Sequence, residues 1–299
     1  MIEALKRPKW FCKGCEMLEV GSERPIDQLL LEILQHAHQA ATEQGIEYFV
    51  GGALARDILL HHVFGGAIER ATLDVDIGVY LRNWDEFQKL RVRLIETGRF
   101  FATEGSPHRL HFAKHGGVPL DLIPFGKVAD DGQQIAWPPN RDVVLNVAGF
   151  EEAQQFAVLV DLGGGLRARV CSLPSLAVLK LLAWKDRHTA SRKDATDFLL
   201  IAQRYAEAGN EDRLYGADLE VLAKSEYDMD LAGAMLLGKD AARTCSTATA
   251  QQVNEILSDA KFRQLMIDQL LRSKATVEPL LGEGRIVAIL SAFERGFMA

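Results

Sequence analysis

The sequence predicts an α/β protein, a mixed sheet with interspersed helices followed by a helical C-terminal region. Three observations support this. Short apolar or alternating runs at 46–50, 72–81, 118–123 and 156–161 have strand character. The stretches between them repeat apolar residues at the helical period. From Gly209 onward the chain reads as helices separated by polar loops. The 299 residues suit one large domain or two, and 48% hydrophobic against 25% charged residues is enough for a real core. The expected organisation is a polar segment over 1–24, the sheet-bearing domain over 25–205 and the helical region over 206–299.

The elements follow in order. Pro25 opens a helix running to about Gln44, with Ile26, Leu29, Leu30, Ile33, Leu34 and Ala37 inward and Gly45 as its stop. A short strand over 46–50 leads through Gly51-Gly52 into a helix over 53–63. A strand over 72–81 and a helix over 84–97 come next, then strands over 100–102, 109–113 and 118–123, the last two joined at Gly116-Gly117. The segment 131–142, rich in Gly and Pro, reads as a loop. A hairpin around Gly163-Gly164-Gly165 precedes a helix started by Ser172 and Pro174 and ending near His188; a second helix begins near Arg192.

Composition sets limits. No apolar run reaches the length of a membrane span and no secretory pattern opens the chain, so a cytoplasmic protein without membrane contact is expected. Four cysteines in 299 residues do not make a disulfide framework. The net charge of −7 weakens a nucleic-acid reading without removing it, since a local basic patch suffices for tRNA. Cys12-x-x-Cys15 invites zinc, but no second pair has suitable spacing; His36 and His38 are one residue apart. His108, His111 and His115 fit no metal spacing and read as a polar strand edge.

The chemistry lies in the order of three features. Gly51-Gly52 comes first, then Asp74 and Asp76 on one strand, then Asp121 on a later one. Alternation puts Asp74 and Asp76 on one face and Leu73, Val75 and Ile77 on the other; Leu120 and Leu122 likewise leave Asp121 outward. Aspartate is disfavoured in strands, so two at alternate positions need a reason. Carboxylates on neighbouring strands repel one another unless a divalent cation neutralises them, and Mg²⁺ takes hard oxygen ligands while leaving positions for phosphate. The glycines let the backbone approach a phosphate, with the next helix aimed at it. Arg56, one turn on, could reach the same phosphate or simply be a surface residue paired with Asp57 or Glu69. Lys180 stands inside the apolar run 177–183, so its ammonium must meet water or an anion.

This constellation resembles the nucleotidyltransferase superfamily typified by DNA polymerase beta, over residues 46–205. The long gap between the glycines and the aspartate pair departs from many members, and looks more like the CCA-adding and poly(A) polymerase branch or the toxin-type enzymes of abortive-infection systems. Lys180, followed by Arg192-Lys193-Asp194 and Asp197, is similar to the toxin-type pattern. The resemblance implies a nucleotidyltransferase fold, a nucleoside triphosphate substrate and two Mg²⁺ ions about 4 Å apart. It implies that Asp74, Asp76 and Asp121 are catalytic metal ligands, that Gly51, Gly52 and Lys180 meet the triphosphate, and that Asp194 orients the site. It favours transfer to tRNA or protein and an antitoxin partner. A small-molecule acceptor, as in antibiotic-modifying enzymes, and a regulatory or antitoxin-like module of the same fold are the alternatives. A haloacid-dehalogenase-like phosphatase is excluded because Gly78 stands where it needs Thr or Ser after the aspartate pair.

Overall fold

The computed structural model describes residues 17–67, 72, 74–103, 105–114, 117–273 and 282–299. Cys12, Cys15, Leu73, His115 and Gly116 lie outside the described residues, as does most of the expected polar segment over 1–24. The architecture is the expected one, a mixed sheet with helices followed by a helical region.

The sheet has eight strands among the described residues: β1 (Leu18–Glu19), β2 (Tyr48–Val50), β3 (Val75–Leu81), β4 (Phe100–Thr103), β5 (Ser106–Phe112), β6 (Val118–Gly126), β9 (Val158–Asp161) and β10 (Arg167–Val170). Their spatial order is β1-β9-β10-β2-β3-β6-β5-β4. β3 runs parallel to β6 and antiparallel to β2, while β10 runs parallel to β2. The core-facing residues of the two central strands are almost fully enclosed: Val75, Ile77, Val79 and Leu81 on β3, Leu120 and Leu122 on β6. That enclosure fixes register, because a one-residue slip would turn these apolar chains to the other face.

The helices obey their local signals. α1 (Gln28–Glu43) is capped by Asp27, whose carboxylate accepts from the Leu29 N–H at 2.8 Å. α2 (Gly52–Asp57) continues as a π-helical stretch, Ile58–Val63. α3 (Trp84–Glu96) is capped by Asn83. α4 (Phe150–Gln155) follows Gly149, and α5 (Leu173–Arg187) carries Pro174 in its first turn. α6 (Lys193–Arg204), α7 (Glu211–Leu214), α8 (Leu219–Lys224), α9 (Met229–Thr244), α10 (Thr247–Ser258), α11 (Ala260–Arg272) and α12 (Glu283–Phe297) complete the chain.

Four features differ from the sequence expectations. The segment before Pro25 contributes β1, which pairs with β9 some 140 residues later and so leaves no local pattern. The expected loop over 131–142 begins a ribbon, β7 (Gln134–Ala136) with β8 (Val144–Asn146); strands of three residues beside Pro138-Pro139 are too short for alternation to register. β3 starts at Val75 rather than at 72, which leaves Asp74 just outside the strand. β5 lies between β6 and β4, so His108 and His111 are not on a sheet edge. His111 instead pairs with Thr103 and stacks on Phe101.

Two contacts place the helices over the sheet. The Cys171 N–H donates to the Val50 carbonyl at 2.9 Å, so α5 leaves the sheet beside the strand that leads into α2. α9 packs against α5, α6 and α12. Where α9 and α12 cross, a Cβ on Gly238 or Gly296 would run into backbone of the other helix. No helix among the described residues is long and apolar enough to cross a membrane. Gly296→Val is expected to destabilise the protein by about 2 kcal/mol, because the crossing cannot widen without opening the core. Urea denaturation monitored by circular dichroism measures this; an unchanged midpoint would refute the close crossing.

Candidate active site

The glycine turn and the second aspartate are built against each other. Antiparallel pairing of β2 with β3 sets Val50 opposite Ile77, and the Gly51 N–H donates to the Asp76 carbonyl at 2.8 Å. Gly52 has φ of +61°, and a Cβ there would overlap the Asp76 carboxylate. Glycine is therefore required at Gly52 twice, by backbone conformation and by the approaching carboxylate. Gly51 is extended, and a Cβ there would make only ordinary contacts, so its demand is weaker.

Asp76 and Asp121 are directly paired across the parallel strands β3 and β6, on the same face. Burial, the Asp121 charge and Asp74 push the Asp76 carboxyl up to about 6, against the opposing pull of Lys180. Asp121 was expected outward; it is only 8% exposed, because this face of the sheet is the floor of a cavity rather than open surface. Its two oxygens accept from Arg109, from Nε at 2.7 Å and from Nη2 at 2.6 Å. The hydrogen bond to Asp121 holds the Arg109 guanidinium above its ordinary range, burial opposes this, and Asp74 and Asp76 add to it.

The donor chemistry suits a hard divalent cation. Among the described residues Asp74 and Asp76 have no two-point basic partner, and burial, followed by the Asp121 charge, raises the Asp76 pKa, a cost to the ionised form that a cation would relieve. Yet among the described residues no three His, Cys, Asp or Glu side chains are gathered to hold a metal ion. The expected convergence of Asp74, Asp76 and Asp121 is thus incomplete in this structure: Asp74 precedes the strand, and Asp121 is engaged by Arg109.

Lys180 and Asp194 meet in a buried ionic chain. Lys180, 8% exposed, reaches Asp197 at 2.5 Å and Asp194 at 3.3 Å. Asp194, 1% exposed, also accepts from Arg187 at 2.6 and 2.8 Å. Burial works against the Lys180 ammonium, but Asp197 and Asp194 outweigh it and its pKa stands above the ordinary value. Burial likewise opposes ionisation of Asp194, and Arg187 and Lys180 hold it below the usual carboxylate range. Arg56, expected to reach from the glycine turn toward a phosphate, is instead buried between Asp57 and Asp197. Thr72 donates to Asp57 at 2.5 Å and closes that end.

These groups converge on one cavity of about 580 Å³. Gly51, Gly52, Asp76 and Asp121 line it together with Lys180, Arg187 and Asp194. Apolar side chains complete the lining, among them Ile123, Trp137, Val144, Leu145 and Leu179. His108 packs beside Trp137 with ring centroids 5.7 Å apart, and burial holds its imidazole pKa down. Sequence reasoning missed Arg109 and Trp137 as site residues. Arg109 left a usable signal: a hairpin turning at 116–117 sets Phe112 opposite Val118 and hence Arg109 opposite Asp121. Trp137 left none, because its position depends on the ribbon.

Asp76→Asn should stabilise the cation-free protein at pH 7 by on the order of 1 kcal/mol, since the ionised carboxylate is disfavoured in the fold. A raised folded pKa makes this penalty complete above pH 6 and absent once pH falls below the ordinary carboxylate value near 4, so the gain should vanish there. Melting curves at pH 4 and pH 7 test both signs. Lys180→Ala, by contrast, should cost about 3 kcal/mol, because it strips a cation from two buried carboxylates; urea unfolding with less than a tenth of that loss would show the ionic chain to be dispensable.

The chain was compared with known proteins on these grounds. It is similar to the antibiotic-resistance factor ANT(2'')-Ia, at 13% identity over 68% of this chain and 99% of that one, TM-score 0.36. It is similar to an antigenic nucleotidyltransferase-like protein from Paracoccidioides brasiliensis, at 15% identity over 67% and 93%, TM-score 0.38. The Thermotoga maritima CCA-adding enzyme complexed with tRNA is similar at 13% identity over 95% and 85%, TM-score 0.27. At these scores the likenesses say nothing of substrate. No curated protein matches the chain. Residues 32–281 match the family described as nucleotidyl transferase AbiEii toxin, type IV TA system, and with most of its length inside that match the chain belongs to this family of nucleotidyltransferase toxins.

Proposed function

We propose that the protein is a Mg²⁺-dependent enzyme that moves a nucleoside monophosphate from a nucleoside triphosphate to a hydroxyl of tRNA or protein, releasing pyrophosphate. The observation that carries this reading is the single cavity in which the Gly52 turn, Asp76 and Asp121 face the cations Lys180 and Arg187. A triphosphate needs both, carboxylates to hold its metal and fixed positive charge to balance its oxygens.

Each residue has a role in that scheme. Asp74 and Asp76 hold the cation. Asp121 is the third carboxylate, as a ligand or as the base that takes the proton from the acceptor hydroxyl. The Gly51 N–H is already committed to the Asp76 carbonyl, so phosphate approaches from Gly52 onward, at the start of α2. Lys180 and Arg187 lie against the phosphates, oriented by Asp194. Arg56 acts at one remove by fixing Asp197, which fixes Lys180. The magnesium, when bound, would draw charge from the α-phosphate as the acceptor oxygen attacks. The apolar lining with Trp137 and His108 accommodates the planar base. Membership in a toxin–antitoxin family supports a cognate antitoxin as the partner.

A second reading has its own observation. Asp121, Asp186 and Asp194 line the cavity with Asp76 in a chain of net charge −7, which favours a small cationic acceptor over a polyanion. Labelled nucleotides incubated with the protein, Mg²⁺ and a cell extract separate the two. Label in RNA or protein, sorted by nuclease and protease treatment, supports the first reading; label confined to small molecules supports the second. Asp76→Asn or chelation of divalent cations should abolish transfer under either, and full activity after both would overturn the metal-dependent mechanism.

A further inference from the structure

We infer that Arg109 is a built-in counter-ion that occupies the third carboxylate, so that a divalent cation gains Asp121 only when the guanidinium is displaced. The inference rests on the metal-dependent reading above and adds an order to it. Free cation meets an occupied ligand, whereas cation carried by nucleotide arrives with an anion able to receive Arg109.

The geometry carries the argument. Arg109 and Asp121 are cross-strand partners on β5 and β6, so the backbone itself holds them face to face. Both carboxylate oxygens are used, at 2.7 and 2.6 Å, in a parallel two-point pairing. Each oxygen keeps a second lone pair, but a cation placed about 2 Å from either oxygen on the side of the fork would take the position of an N–H donor, and on any side it would meet the charge of the adjacent guanidinium. The Arg109 side chain is 35% exposed and lines the cavity, so it has room to move, while the Asp121 side chain, 11% exposed, does not. Arginine stays charged across the ordinary pH range, so deprotonation of the guanidinium does not release this contact, whereas competition for either partner does. Asp74 and Asp76 also draw on the same guanidinium, which places it where it offsets all three carboxylates. Once displaced, it still needs an anion. The triphosphate expected beside Lys180 and Arg187 offers oxygens that a guanidinium fork matches at two points.

Mn²⁺ titration of the full chain, followed by electron paramagnetic resonance or calorimetry, tests this without any measure of transfer. Removing a charge-assisted pair should let Arg109→Gln bind free Mn²⁺ at least about tenfold more tightly than the wild type. Addition of a triphosphate analogue blocked at the α–β bridge should tighten wild-type binding more than it tightens the variant's. Free-Mn²⁺ affinity in Arg109→Gln equal to or weaker than wild type overturns the inference. Should that variant fail to fold, Arg109→Lys, which keeps the charge and loses the two-point fork, should also bind Mn²⁺ more tightly, and equal affinity there overturns it as well. Asp76→Asn separates the two levels. If its Mn²⁺ binding matches the wild type with and without the analogue, the metal reading itself falls. If its binding is lost while Arg109→Gln matches the wild type, only the role of Arg109 falls.

Discussion

Asp76 and Asp121 stand side by side on adjacent parallel strands, two negative charges that cannot both be comfortable, and the ion pairs around them are arranged about that repulsion. Arg109 answers Asp121 directly. Lys180 eases Asp76 from the opposite wall and is itself held by Asp197 and Asp194. Arg187 balances Asp194, and Arg56 balances Asp197. The result is an alternation of sign running from α2 through α5 to α6, in which each buried charge has a partner, as buried charges require. Along that chain charge is compensated, while at the paired carboxylates Arg109 answers one of two negative charges. The other is what a cation-dependent phosphoryl site must keep in reserve.

Much of this was legible in the sequence, and the part that was not has a physical explanation. The glycine pair, Asp76 and Asp121 could be placed on their elements because strand periodicity is local and because apolar neighbours reveal a face, whereas Asp74, expected on the same strand as Asp76, precedes it. Lys180 could be singled out because an ammonium in an apolar helix must find an anion. Its nearest anions, however, proved to be Asp194 and Asp197 of the next helix. Arg56 went the same way: near the glycine turn in sequence, it is taken by Asp57 and Asp197 across the fold. Local pattern tells which charges need partners, and packing of distant helices decides which partners they get. The β7–β8 ribbon was unreadable for a related reason, since three-residue strands carry too few alternations to stand out from loop.

The helical region does more than follow the sheet. Trp184, enclosed at the centre of α5, donates through its indole N–H to Gln269 of α11 at 2.9 Å, and Gln269 donates back to the His188 carbonyl at 2.8 Å. Glu152 of α4 accepts from Thr249 of α10 at 2.6 Å. The helix that carries Lys180 and Arg187 is thereby tied from the side away from the cavity as well as from within it. Gln269, far along the chain, thereby holds the helix that bears Lys180 and Arg187 without itself lining the cavity.

The pairing of β1 with β9 bears on how the chain is made. Leu18 lies opposite Val160, so the earliest of the described strands waits for nearly half the chain to emerge before its hydrogen-bonding partner exists. Closing so long a loop is only modestly dearer than closing a short one, because the entropy grows with the logarithm of length, but it cannot begin early. On the ribosome β2 and β3 can zip as a neighbouring antiparallel pair while the segment ahead of them remains without a partner. One edge of the sheet is therefore formed by the earliest of the described strands, which is among the last of the sheet to settle, and until it does, β9 is an open edge to which another nascent chain could add.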